Sequence, residues 1–193
     1  NVDAAVYGAR AAYIGGAAGT ATVLAGKMFG IPISGTMAHS WVMSFESEYD
    51  AFKAYAESYP DSTVLLVDTY DVLKSGVPNA IRTAKEILEP KGCRLKGIRL
   101  DSGDLAYLSK EARKQLDAAG LTDCIIVASN GLDEYTINSL NRQGALIDSY
   151  GVGEKLITSS TNPVFGAVYK LVAVKKDGEF RPKIKISETV EKI

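Results

Sequence analysis

The chain has 193 residues, 46% of them hydrophobic and 23% charged, enough for one substantial core, so a single domain is the starting expectation. With 22 Lys and Arg against 23 Asp and Glu, the net charge of -1 provides no general basic field for nucleic acid or an anionic membrane, and any anion has to be held by local geometry. Cys93 and Cys124 lack zinc-type spacing and disulfide density and read as reduced structural thiols; with no signal peptide and no apolar run near the roughly 20 residues of a membrane helix, a cytoplasmic enzyme or binding domain is expected.

The chain opens without a methionine in a helix-favouring stretch, DAAVYGARAAYI, and ends in mid-pattern at KISETVEKI, so it reads as a piece cut from something longer. Apolar, β-branched runs predict strands at IPIS (31–34), VLLV (64–67), GIRL (97–100), CIIVA (124–128), ALID (145–148) and VYKLVAV (168–174). Between them lie helical faces: Tyr49, Phe52, Ala56 and Tyr59; Ile81, Ala84, Ile87 and Leu88; Leu105, Leu108, Ala112, Leu116 and Ala119. A shorter helix over Ile137 to Leu140 starts behind Asp133 and stops before Gly144. Strand starts at 31, 64, 97, 124 and 145 recur at about the length of one βα unit, which means parallel strands with helical crossovers. After Val174, Asp177-Gly178 is a hairpin turn signal and Ile184 and Ile186 alternate with lysines, an antiparallel appendage. The expected division is 1–166 as a β/α-barrel portion and 167–193 as a last barrel strand plus a hairpin leading into a further domain.

The polar residues fall at the C-terminal ends of the strands: GTMAHS, DTYD, RLDSGD, SNGLDE and DSYGVGE. A β/α barrel builds its active site from such loops, whereas a doubly wound sheet gathers its chemistry at one switch point. The fold class expected is therefore α/β, an incomplete TIM-like β/α barrel with a C-terminal hairpin. His39, the only histidine, sits between small neighbours Ala38 and Ser40 and can serve as base or nucleophile. Solvated helix caps are the plain explanation for the acidic set Asp68, Asp71, Asp101 and Asp104, and Asp104 fits it well, while Asp68 and Asp101 each end a hydrophobic strand and are expected in the mouth, solvated when it is empty. Two carboxylates there can hold Mg²⁺ or ribose hydroxyls, and Arg99, on the same strand face as Asp101, offers a fork for a carboxylate, a phosphate or a ring. The turns Ser129-Asn130-Gly131 and Gly151-Val152-Gly153-Glu154, with Lys155 beside them, suit an anion held on backbone N–H groups. A phosphorylated sugar with Mg²⁺ fits this set, with a phosphosugar aldolase or isomerase still open.

The segments GTMAHSWVMSF, LLVDTYDVLKSGVPNAI, GIRLDSGDLAYLSKEAR, VASNGLDEYTINSL and DSYGVGEKLITS, in this order and spacing, together with the upstream YGARAAYIGGAAGTATVLAG, resemble the nicotinate phosphoribosyltransferase family along the whole chain. The family's arginine-containing entry segment and its C-terminal portion are not in this sequence. The resemblance implies a type II phosphoribosyltransferase of NAD biosynthesis: nicotinate and 5-phosphoribosyl 1-diphosphate give nicotinate mononucleotide and diphosphate, with ATP hydrolysis coupled. It implies that His39 is the residue ATP phosphorylates, that Asp68 and Asp101 stand around ribose, diphosphate and Mg²⁺, and that Arg99, Thr36, Ser40, Asp71, Ser102 and Gly103 bind substrate. Ser129, Asn130, Gly131, Gly151, Gly153 and Glu154 match the 5′-phosphate loops. A homodimer with small-molecule substrates and no nucleic-acid or membrane partner is implied, and the present piece alone is expected to be inactive. The rival readings are a nicotinamide or quinolinate phosphoribosyltransferase and a non-catalytic phosphate-binding barrel fragment. Nicotinamide enzymes carry an aspartate in the segment that aligns with Ala17 to Thr22, here the neutral AAGTAT, which favours nicotinate.

Overall fold

The computed structural model describes residues 2–158 and 169–186. Helices α1 (Val2–Ile14) and α2 (Val23–Phe29) close a small apolar cluster of Val6, Ala25 and Ile31. The segment 31–34, expected as the first strand, makes only one parallel bridge, between Thr20 and Ile33. Thr20 N–H donates to the Pro32 carbonyl at 2.9 Å and Ser34 N–H to the Thr20 carbonyl at 3.0 Å. Pro32 has no N–H with which to extend the ladder.

Helices α3 (His39–Ser44) and α4 (Glu48–Ser58) then lead to β1 (Val64–Leu66), followed by a widened π-type turn at 72–76 and α5 (Val77–Thr83). Next come β2 (Gly97–Leu100), α6 (Leu105–Ala118), β3 (Ile125–Ala128), α7 (Glu134–Arg142), β4 (Ser149–Tyr150) and the short α8 (Glu154–Ile157). The fold is mixed α/β: the strands form one parallel sheet in the order β1-β2-β3-β4, with Leu65 paired to Ile98, Ile98 to Ile126 and Ala128 to Tyr150. Leu65, Leu66 and Val67 are buried in succession at β1, whereas β3 alternates, with Ile126 and Ala128 buried and Ile125 exposed; Ile98 and Leu100 of β2 are buried with them. Phe52, Ala56, Ala80, Leu88, Ala112 and Leu116 bring the helices into the same core.

The fourth parallel strand lies later than the run 145–148 predicts. Asp148 is the reason: its carboxylate accepts from Ile126 N–H at 2.8 Å and its own N–H donates to the Ile126 carbonyl at 2.9 Å, so the ladder opens only at Ser149. The predicted strand 168–174 begins outside the described residues, and its described part does not join the parallel sheet; it runs into β5 (Ala173–Lys176), which pairs antiparallel with β6 (Glu179–Pro182). The Asp177-Gly178 turn is where the sequence places it, with both residues at positive φ. Beyond it the residues do alternate in burial, with the lysine inside: Ile184 and Ile186 are 61% and 59% exposed, while Lys185 is 4% exposed.

Cys124 is buried in the core, and burial pushes its thiol up to about 12. Cys93 is half-buried and also raised, by desolvation and then by its bond to Asp61. At pH 8 an alkylating reagent is therefore expected to label Cys93 slowly and to spare Cys124 until guanidinium unfolds the chain, as read by peptide mass spectrometry. Equal labelling rates in the native protein would mean that this core is open.

Candidate active site

His39 is the first residue of α3, and the strand ends of β1 and β2 bring Asp68 and Asp101 to it from 29 and 62 positions along the chain, as parallel strands must when they share one C-terminal edge. His39 Nε2 lies 3.4 Å from Asp101 Oδ2 and 3.8 Å from Asp68 Oδ1, and Nδ1 lies 3.2 Å from Thr69 Oγ1. Ionised carboxylates only accept hydrogen bonds, so they favour the tautomer with its proton on Nε2, and Nδ1 then accepts from the Thr69 hydroxyl. The side chains of His39 and Asp101 are 20% and 16% exposed, enough for a ligand to reach, but that of Asp68 is 1% exposed. The expectation of a solvated Asp68 is thus corrected: Ser102 Oγ donates to its Oδ2 at 2.5 Å, and Oδ1 is buried without a hydrogen-bond partner among the described residues.

Arg99 is brought to the site, with its fork engaged. Nη2 donates to Asp101 Oδ1 at 3.3 Å, Nε to Ser129 Oγ at 2.9 Å and Nη1 to the Met37 carbonyl at 3.5 Å, while Ser129 Oγ donates to Asp101 Oδ1 at 2.6 Å. The arginine therefore fixes Asp101 in this structure. Next to Ser129, Asn130 and Gly131 both take positive φ (93° and 58°), the conformation that asparagine and glycine tolerate best. Gly151 lies against this turn, its N–H donating to the Ala128 carbonyl at 2.7 Å, and a Cβ there would sit 3.3 Å from Ser129 Cβ. The two glycine-bearing turns are thus neighbours, and a Cβ on Gly153 would meet open space.

Other expected residues serve locally. Thr36 donates its hydroxyl to the Val64 carbonyl at the start of β1, and Ser40 is exposed on α3. Asp71 caps the turn at 72–76 through Leu73 and Lys74 N–H, at 3.1 and 2.9 Å, and Asp104 caps α6 through Tyr107 N–H. Gly103, at φ 75°, makes the turn between Ser102 and that cap. Lys155 is no loose cation: its Nζ meets Asp133 Oδ2 at 2.7 Å, strapping α8 to the cap of α7. That ammonium, with the Thr136 hydroxyl and N–H, holds the Asp133 carboxyl well below the usual carboxylate range. Glu154 is exposed beside Gly153.

Three residues escape the sequence reading. Thr69 orients His39. Lys185 is buried where Ile186 N–H donates to the Thr69 carbonyl at 3.2 Å. Glu48 is a buried carboxyl whose proton affinity burial raises first, with the charges of Asp68 and Asp71 adding to it and hydrogen bonds from Ser75 and Asn79 opposing. It was legible in one respect: 48, 51, 52 and 56 lie on one helical face, and that is the face that α4 buries, one residue round from the face through Tyr49 and Tyr59.

A divalent cation fits this donor set. One ligand atom each from His39, Asp68 and Asp101 lies within 4.8 Å of the others, and the partnerless Asp68 Oδ1 is an orphaned buried acceptor of the hard type that Mg²⁺ takes.

The profile of the Nicotinate phosphoribosyltransferase (NAPRTase) family matches residues 6–192. A nicotinate phosphoribosyltransferase of Bacillus subtilis is 59% identical over 194 residues, covering 100% of this chain and 39% of that protein. The crystal structure of human nicotinic acid phosphoribosyltransferase superposes with a TM-score of 0.69 at 30% identity, over 77% of this chain and 39% of the other. A nicotinate phosphoribosyltransferase from Vibrio cholerae, at 22% identity and a TM-score of 0.72, shares the fold over 99% of this chain and 48% of its own. The chain thus spans 39% of the length of the Bacillus relative.

Proposed function

The chain belongs to the nicotinate phosphoribosyltransferase family, and from that premise we propose that it is the catalytic-face segment of a longer enzyme that makes nicotinate mononucleotide and diphosphate from nicotinate and 5-phosphoribosyl 1-diphosphate, coupled to ATP hydrolysis. The four parallel strands are taken as consecutive units of a β/α barrel, and the enzyme as a homodimer. The observation that carries the reading is the convergence of His39, Asp68 and Asp101 at adjacent strand ends, within 4.8 Å, beside the paired turns at 129–131 and 151–153.

In this reading the bond from ribose C1 to diphosphate breaks and the ring nitrogen of nicotinate forms the new one, through a sugar that carries positive charge. Asp68 and Asp101 set negative charge beside it, where it stabilises the transition state more than the ground state. The same two carboxylates, Asp68 and Asp101, would hold a Mg²⁺ when one is bound, and it would supply positive charge for the departing diphosphate. The turns at 129–131 and 151–153 hold the 5′-phosphate on backbone N–H groups. In the ATP half-reaction the Thr69 hydroxyl turns away from Nδ1 of His39, whose freed lone pair takes the γ-phosphoryl group as its bond to ADP breaks, while Asp101 holds the Nε2 proton.

Base choice gives the test. Ala21 is exposed between the Thr20–Ile33 bridge and the start of α2, and no acid stands in 17–22 to repel a carboxylate. In competition assays the full-length enzyme is expected to prefer nicotinate to nicotinamide, and Ala21→Asp to reduce that preference by about tenfold, since a like charge within several Å of a bound carboxylate near a protein surface costs about 1.4 kcal/mol or more. A wild-type preference for nicotinamide would overturn the substrate assignment; an unchanged ratio in the variant would remove 17–22 from the base pocket.

A further inference from the structure

Glu48 stands in the first turn of α4, immediately behind the Ser47 cap, where an acidic side chain ordinarily lies in solvent. Here it is 4% exposed. Its Oε2 accepts from Ser75 Oγ at 2.5 Å and from Asn79 Nδ2 at 3.0 Å, and Oε1 is buried with no hydrogen-bond partner among the described residues. Both donors lie behind β1, Ser75 in the turn at 72–76 and Asn79 in α5.

That turn is locked to the strand end. Asp71 caps it, and Gly76 presses on the strand so closely that a Cβ would lie 1.9 Å from the Val67 carbonyl oxygen, one residue before Asp68. The position of Ser75 therefore reports the position of Asp68. On the other side, α4 follows α3 after a three-residue turn, and α3 begins with His39. Trp41 Nε1 donates to the Ala51 carbonyl at 3.1 Å, which holds the two helices as one unit. Glu48 thus links the α3–α4 unit, which begins with His39, to the turn and helix that follow the strand end bearing Asp68.

We propose that Glu48 is a positioning residue that sets the separation of His39 and Asp68 by tying the α3–α4 unit to the turn behind β1. It touches neither substrate nor cofactor and acts through the other two. A buried carboxyl with one oxygen unbonded is costly in itself, so the fold alone gains little from it over an apolar side chain. What it supplies is one acceptor oxygen that serves two donors at once, one from the turn at 72–76 and one from α5.

The inference rests on the reading of His39 and Asp68 as the reacting pair, and two variants of the full-length enzyme test it. Glu48→Gln keeps an acceptor oxygen for Ser75 and Asn79; Glu48→Ala removes it. Normalised to folded protein, Glu48→Ala is expected to lower kcat about 10- to 100-fold, the usual cost of a misplacement near 1 Å, with KM for nicotinate changed less than about threefold. Glu48→Gln is expected to recover kcat to within about threefold of wild type. A loss of stability in Glu48→Ala with unchanged kcat per folded molecule would reduce Glu48 to a structural residue, and failure of Glu48→Gln to recover would overturn the acceptor role. If the wild type makes no nicotinate mononucleotide, the functional reading fails by itself, and the crystal structure of ligand-free Glu48→Ala decides this proposal: the His39 Nε2 to Asp68 Oδ1 separation, 3.8 Å in the wild type, is expected to widen, and an unchanged separation overturns it.

Discussion

In the full-length enzyme, Asp68→Asn is expected to lower the rate of nicotinate mononucleotide formation by about 10²-fold or more while moving the unfolding midpoint by only a few degrees. The asparagine carbonyl can still accept from Ser102, so the local bond survives the substitution. What disappears is a negative charge on Oδ1, an atom that is buried, bonds to no donor among the described residues and faces His39. A buried charge so sparsely compensated contributes little to folding, and its loss is felt where positive charge develops in the transition state. Asp101→Asn differs, because Asp101 accepts from Ser129 and Arg99 and its loss leaves the guanidinium short of a counter-charge, costing about 1–3 kcal/mol of stability besides the rate. Steady-state assays beside thermal melts of both variants separate the cases. Asp68→Asn losing stability and rate in parallel would show that Asp68 mainly holds the fold.

His39→Ala is expected to abolish an acid-labile, base-stable phosphate that labelled ATP and Mg²⁺ place on the wild-type enzyme, and to cut the stimulation of product formation by ATP to about onefold. Transfer of the base to ribose should persist at a reduced rate, because Asp68 and Asp101 remain at the two strand ends. Rapid-quench labelling, with product measured with and without ATP, checks both halves. Label that survives in the variant would move the nucleophile elsewhere, and intact ATP stimulation without label would remove the phosphoenzyme from the reaction.

Much of the site could be read from the sequence because it obeys a rule of parallel sheets: polar residues that end hydrophobic strands gather at one edge. Asp68, Asp101 and Ser129 follow that rule and meet Arg99, from within β2, and His39, from the start of α3. Its limits are as physical. Whether Asp71 or Asp68 enters the site depends on which residue caps the next turn, and Asp71 does, through two backbone N–H groups. Whether Arg99 and Lys155 are available to a ligand depends on partners far along the chain, Ser129 and Asp133, which periodicity does not see. IPIS has strand composition, but a lone bridge beside Pro32 is all it forms, and ALID gives way to its own Asp148. Glu48 was missed because a charged residue in a first helical turn is ordinarily a solvated cap, and only the packing of α4 turns it inward.

The strand order has a consequence for synthesis. Each parallel strand bonds to the strand made just before it, so the sheet can grow from one edge while the ribosome is still adding residues, without waiting for a distant partner to emerge. Every new strand closes a loop of one βα unit, and the entropy of that closure stays nearly constant from step to step instead of rising with chain length. His39, Asp68 and Asp101 come together as soon as β2 docks on β1, and only later does β3 add Ser129, which ties Asp101 to Arg99. The carboxylates thus meet early, in a nascent chain whose later strands have yet to cover them.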